Sequence, residues 1–141
     1  MKSAPEGALK IRQDRSFREA AGRLRRRGWC AIVAYGVEAG AWLKVAVTDD
    51  VDGTAKVGQA HHPAEYCARA VAWAPTRLML EHLRDLLLER AREDGLLLRP
   101  SCVAMTVAGY GLALRTAAEA AGVELVAPED WEQLVEQEAR R

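Results

Sequence analysis

Aromatic residues are scarce in this sequence, at 6 % of the chain, and do not alternate with its basic residues in a run. That leaves no platform on which single-stranded bases could stack. Cysteine is equally sparse. Cys30, Cys67 and Cys102 are odd in number, widely spaced and without a C-x-x-C pair, which argues against a disulfide framework and for reduced thiols in a cytoplasmic protein. No apolar run reaches the ~20 residues that span a bilayer. The nearest, Val103–Ala121, is broken by Arg115 and Glu119. Charges without an apolar stretch at the N-terminus predict no signal peptide, and no membrane partner is expected. A phosphate-binding P-loop, G-x-G-x-x-G, G-x-S-x-G and H-E-x-x-H are all missing, which removes the common nucleotide, hydrolase and zinc-peptidase signatures. Net charge is also missing: 20 basic residues balance 20 acidic ones, so a generic polyanion binder is not indicated.

What is present is a globular composition, 50 % hydrophobic and 28 % charged over 141 residues, enough to bury a core without staples. The balanced charge hides an asymmetry. Residues 1–27 hold nine Lys/Arg against three Asp/Glu, and residues 119–141 hold seven acids against two arginines. Such an arrangement can steer a partner or pair the two ends with each other.

Residues 1–15 are polar, contain Pro5 and Gly7, and are expected to form a flexible arm ahead of one domain over 16–141. Ser16 and Glu19 form S-x-x-E, which predicts a helix capped at Ser16. Phe17, Ala20, Ala21 and Leu24 give it an apolar stripe. Arg25, Arg26 and Arg27 suit its C-terminal dipole, and Gly28 should end it. Trp29–Gly36 and Trp42–Thr48 predict two strands joined by a hairpin-length loop. Residues 54–65 read as loop, with a short strand possible at Ala55–Gln59. Tyr66–Trp73 predicts a third strand, although its alanines leave a helix open. Pro75–Asp94 predicts a long helix with Pro75 in its first turn, and Met79, Leu80, Leu83, Leu86 and Leu87 facing the sheet. After Gly95 and the apolar run Leu96–Leu98, Val103–Ala121 predicts one helix, or two hinged at Gly109-Tyr110-Gly111. Val123–Val126 reads as a short strand or extended link, and Pro128-Glu129-Asp130 opens a last helix carrying Trp131, Leu134 and Val135. The order predicts an α+β fold: a small, mostly antiparallel sheet packed against helices, with a helical C-terminal third.

Strand, loop and strand in "WCAIVAYGVEAGAWLKVAVT", followed by a proline-containing link and "TRLMLEHL", resemble the GIY-YIG nuclease superfamily over roughly residues 29–98. The resemblance implies catalytic roles for Tyr35 in the first strand and Lys44 in the second, where Lys44-Val45-Ala46-Val47-Thr48 has alanine in place of the family's glycine. It implies that Glu81 binds a divalent metal, Mg²⁺ or Mn²⁺, in an active member. The family's arginine falls near Gly53 or Thr54, neither of which can stabilise an anionic phosphate. By periodicity, Glu81 also points away from the leucine stripe. The resemblance therefore implies a DNA-associated or regulatory protein whose nuclease-like core has lost most of its catalytic set.

Other residues suggest other chemistry. His61, His62 and Cys67 could join His82 or Glu65 around a metal, at no recognised spacing. Asp49, Asp50 and Asp52 in "DDVDG" could hold Mg²⁺ or Ca²⁺, though Asp and Gly also build turns. Arg18, Arg23, Arg25, Arg26 and Arg27 are the candidate nucleic-acid contacts. Leu78 and Leu88, spare apolar residues on the long helix, point to a protein-interaction module, an adaptor or inhibitor, with a protein partner or a homodimer. A metal-dependent DNA endonuclease is the third expectation.

Overall fold

The segment "CAIVAYGV" contains no charge, and all of it but Val37 is buried. It forms strand β1, Cys30–Val37, which has neighbours on both edges and helices over both faces. A computed structural model of the chain describes residues 15–37, 41–60 and 66–127, together with residues 130, 133, 136, 137 and 140. The expected arm over 1–15 (except Arg15), the loop residues 38–40, the His61-His62 pair and most of the last helix lie outside the described residues.

Among the described residues the fold is α+β, a five-stranded antiparallel sheet with four helices. The elements in chain order are α1 Arg15–Arg26, β1, β2 Leu43–Thr48, α2 Val51–Gln59 and β3 Tyr66–Ala74. They continue with α3 Arg77–Glu93, β4 Leu97–Arg99, β5 Cys102–Val103 and α4 Val107–Ala121. The sheet order is β3-β1-β2-β5-β4. Alternation along the strands sends side chains to two separate cores. Ile32 and Ala34 join Leu43, Val45 and Val47 beneath α3 and α4, which contribute Leu80, Leu83, Leu87, Tyr110 and Leu114. Ala31, Val33 and Tyr35 pack with Phe17 and Leu24 of α1 and Val51 of α2.

On β3 the alternation changes step. Tyr66 and Ala68 face the α1/α2 side, and so do Val71 and Trp73. An even pair and an odd pair can share a face only if one residue is skipped. The pairing with β1 jumps from Ala34↔Ala70 to Tyr35↔Ala68, so Arg69 is the extra residue of a β-bulge. Its buried guanidinium donates through Nη1 to the Val37 carbonyl at 2.8 Å. Val126 forms an isolated antiparallel bridge to Trp73 on the outer edge of β3, where a short strand or extended link was expected.

Several expectations need correction. α1 begins at Arg15, so Ser16 lies inside the helix instead of capping it. Glu19 is taken by Arg15, whose Nε is 3.1 Å from its carboxylate. Residues 54–59 are not loop or strand, for α2 occupies Val51–Gln59. Asp50 caps α2, accepting from the Gly53 backbone N–H at 3.0 Å. Two glycines depress the local helix signal, and the reason for one is a tyrosine on the next strand. A Cβ on Gly58 would stand 2.0 Å from Cε1 of Tyr66.

Pro75 precedes α3 and is not in its first turn. Thr76 is the N-cap, its hydroxyl accepting from the Met79 N–H at 3.4 Å. The face of α3 on the sheet is Leu80, Leu83, Leu87 and Ala91, while Met79 and Leu86 lie at its exposed margin. Pro100 and Ser101 form the turn of a β4–β5 hairpin, and Val103 is a strand residue. α4 starts after Thr106, which caps it through Gly109, and runs unbroken through Gly109-Tyr110-Gly111. Gly28, Gly95 and Gly122 follow α1, α3 and α4 with positive φ. Each closes its helix with the same pair of backbone bonds, such as Trp29 N–H to Leu24 and Gly28 N–H to Arg25.

Candidate functional site

The three residues that the nuclease resemblance nominates are not brought together. Tyr35 and Lys44 are partners across the β1–β2 ladder, so they share the α1/α2 face of the sheet. Glu81 is on α3, which covers the opposite face. The sheet therefore stands between the tyrosine and the carboxylate.

Tyr35 and Glu81 are also committed locally. Tyr35 is fully buried and donates from its phenol to the Val51 carbonyl at 2.9 Å. Its ring stacks on Tyr66, with centroids 5.6 Å apart. Burial pushes its pKa up, against a smaller opposing effect of the Thr54 hydroxyl, and pushes that of Tyr66 up to about 12. Tyr35 thus stays protonated and acts as a packed, hydrogen-bonded core group. Lys44 is exposed. Glu81 lies 3.8 Å from Arg77, one helical turn away, at a half-exposed position.

The residues around Glu81 do not fit a divalent metal. Its nearest charged partner is a cation, and among the described residues no three His, Cys, Asp or Glu side chains converge. Gly53 and Thr54, where the family has arginine, lie in α2, and the Thr54 hydroxyl is 2.9 Å from that of Thr48. Two of the three "DDVDG" carboxylates are engaged as well. Asp50 caps α2, and Arg25 approaches Asp49 at 3.4 Å and Asp50 at 3.8 Å.

The arginines of α1 follow from its amphipathic pattern. Phe17, Ala20 and Leu24 are buried, and Arg18, Arg23, Arg25, Arg26 and Arg27 are all exposed. Arg25 is held by the acids before α2. Among the described residues Arg18, Arg23 and Arg26 enter no ion pair. They form a basic face on the side of the sheet away from α3 and α4.

An unfilled feature lies on the other side. α4 buries Tyr110, Leu114 and Ala118 against the sheet. Its flank toward α3 carries Gly109, Ala113, Thr116, Ala117 and Ala120. Where leucines at these positions would fill the space between two helices, small side chains leave a hollow. The result is an open groove of about 680 Å³ between α3 and α4, with Leu96, Ala104 and Met105 closing one end. Leu86 stands on the α3 lip, 37 % exposed, and Leu112 on the α4 lip, 63 % exposed. The α3 lip also carries charges that pair among themselves. Arg90 contacts Asp94 at 3.3 Å, and Arg92 hydrogen-bonds Glu89, holding that carboxyl below its usual range.

Of the spare apolar residues expected on α3, Leu78 is exposed and Leu88 is half-buried against the core. The groove was not foreseen. The available signal was the run of small residues on one side of α4, spaced i, i+4, i+7, i+8 and i+11 from Gly109, beside Leu112. No helix among the described residues is long and apolar enough to cross a membrane. Comparison of the chain with protein-family models, with curated proteins and with solved structures finds no match.

Proposed function

We propose that this chain is a protein-interaction module whose docking site is the groove between α3 and α4, shaped to accept a helix from another polypeptide. The observation that carries the reading is the groove itself. It is a mostly apolar hollow between two helices, with a leucine standing out on each lip. Covering Leu86 and Leu112 would gain about 1.5–3 kcal/mol per leucine fully removed from water, in proportion to the exposed part. Small residues on the α4 wall let a helix backbone approach closely. This is the groove-and-helix mode of recognition, read by apolar anchors one turn apart.

The test is photo-crosslinking from position 112 in living cells, with position 57 on α2, of similar exposure, as control. A polypeptide adduct from 112 that is absent from 57 and lost on Ala117→Arg is the expected result. Equal labelling from both positions, or none from 112, overturns the reading.

A second reading, contact with DNA phosphates, is supported by Arg18, Arg23 and Arg26, exposed and outside any ion pair among the described residues. Three such contacts predict an affinity that falls with roughly the third power of salt concentration. Fluorescence anisotropy with a duplex at low salt tests it. Binding that disappears on reversing all three arginines supports it, and binding that is absent or indifferent to the reversal sinks it. A metal-dependent nuclease draws no support from the separation of Glu81 from Tyr35 and Lys44.

A further inference from the structure

The groove and the residues beside it are self-complementary. We propose that its occupant is a second copy of this chain, the two α4 helices lying antiparallel across a two-fold axis near Thr116 and Ala117. This rests on the interaction reading above and names the partner.

A symmetric interface needs projection and recess on the same patch, because each residue meets the mate of the residue it faces. α4 has both. Leu112 projects, 63 % exposed, and two turns further along the same helix Ala117 and Ala120 line the recess. An antiparallel crossing centred between them sets each Leu112 over the small residues of its mate.

The charges agree with the same register. Arg115 and Glu119 are exposed and stand four residues apart on α4, yet among the described residues neither enters an ion pair. Arginine ahead of an acid is the poorer order for a pair within one helix. Across the proposed axis, Arg115 of each copy meets Glu119 of the other, so one arrangement satisfies two arginines and two carboxylates.

The α3 lip favours a second copy over a strongly charged partner. Arg90 is matched by Asp94 and Arg92 by Glu89, which leaves Glu93 as the one charged lining residue outside an ion pair among the described residues, and a single carboxylate is little to attract a strongly charged helix. The chain as a whole carries no net charge, so two copies approach without long-range repulsion. The arginines of α1 cover the opposite face of the sheet and stay clear of the interface.

The test is sedimentation equilibrium of the full chain with a charge exchange. An interface of one helix pair is at the small end of specific contacts, so two-copy mass is expected at about 100 µM. Arg115→Glu and Glu119→Arg, each placing like charges together twice, should weaken association on the order of 10-fold. The double exchange should restore it to within about 3-fold. Thermal melts of each variant verify that these exposed positions leave the fold intact. A single-copy mass at about 500 µM, well above the concentration such an interface needs, overturns the proposal. So does a double exchange no better than either single one. A single-copy mass together with a heterologous adduct from position 112 sinks the second copy but leaves the docking groove standing, whereas no adduct at all sinks both.

Discussion

Gly58→Ala and Gly111→Ala are the same change in two helices, and the structure predicts opposite signs. In an unobstructed helix the change stabilises by about 1 kcal/mol, because alanine loses less backbone entropy and shields the helix bonds. Gly111 in α4 meets that condition, since a Cβ there has no neighbour within 4 Å. Gly58 in α2 does not. Its Cβ would lie 2.0 Å from Cε1, 2.5 Å from Cζ and 2.7 Å from Cδ1 of Tyr66. Normal carbon contact is about 3.5–4.0 Å, so the ring or the helix must shift by about 1.5 Å.

The ring cannot swing aside freely. Tyr66 is 5 % exposed and stacks on Tyr35 at 5.6 Å, and Tyr35 is hydrogen-bonded at 2.9 Å to Val51 of the same helix α2. Moving either element costs part of an aromatic pair, about 0.5–1.5 kcal/mol, and strains a buried hydrogen bond of about 1 kcal/mol. Overpacking of this kind costs about 1–3 kcal/mol, which exceeds the propensity gain. Gly58→Ala should therefore destabilise by about 1–2 kcal/mol net, lowering Tm by roughly 3–8 °C, and Gly111→Ala should raise Tm by roughly 3 °C. Urea and thermal unfolding by circular dichroism read both. In a Tyr66→Leu background the penalty at position 58 should shrink, a coupling visible in a double-mutant cycle. If Gly58→Ala stabilises as much as Gly111→Ala, the placement of α2 beneath Tyr66 is refuted.

Three further outcomes follow from buried or paired groups. Tyr110 is fully buried, and among the described residues its hydroxyl has no hydrogen-bond partner; Tyr110→Phe should be neutral or stabilising by about 1 kcal/mol in urea unfolding, and a loss of more than about 1 kcal/mol would show a partner for that hydroxyl. All three tyrosines of the chain are buried, with pKa values raised by desolvation, Tyr66 to about 12. Because the unfolded phenols ionise near pH 10, their contribution is intact below that pH and is lost as pH rises through the raised folded values. Absorbance at about 295 nm should show little tyrosinate at about pH 10.5 and then a rise together with unfolding, whereas smooth titration near pH 10 in folded protein would contradict their burial. Glu81→Ala removes a half-exposed pair with Arg77 at 3.8 Å and should shift stability by less than about 0.5 kcal/mol, as read by the urea midpoint.

The legible parts of the fold were those whose signal is local. β1 and β2 announce themselves by an uncharged run and by the alternation Leu43, Val45, Val47, and the arginine-flanked Phe17–Leu24 stripe marks α1. α2 was illegible because Gly53 and Gly58 weaken its helix signal, and Gly58 is required by the ring of Tyr66 on β3, a packing constraint that hydrophobic periodicity does not encode. The bulge at Arg69 was hidden for the same reason. Its effect is to realign Val71 and Trp73 with Tyr66, which only the paired strand reveals. β5 has two residues and no pattern of its own. On α3, leucine and methionine occur on both sides of the true stripe, so the face was placed a fraction of a turn away, and Met79 and Leu86 were assigned to the core. That error concealed the α3 lip of the groove. Its α4 wall was hidden in plain residues, since alanine, glycine and threonine read as weak helix filler until a second helix stands opposite them.

The central claim, that the α3–α4 groove is covered in the working protein, is tested most directly by leucine methyl NMR with a soluble paramagnetic agent. Leu86 and Leu112 border the groove, while Leu78 and Leu98 are exposed elsewhere. In the assembled protein the methyls of Leu86 and Leu112 should be shielded and those of Leu78 and Leu98 bleached, with the shielding lost in Ala117→Arg. Bleaching of Leu112 to the same degree as Leu78 under every condition in which the protein is active would contradict it.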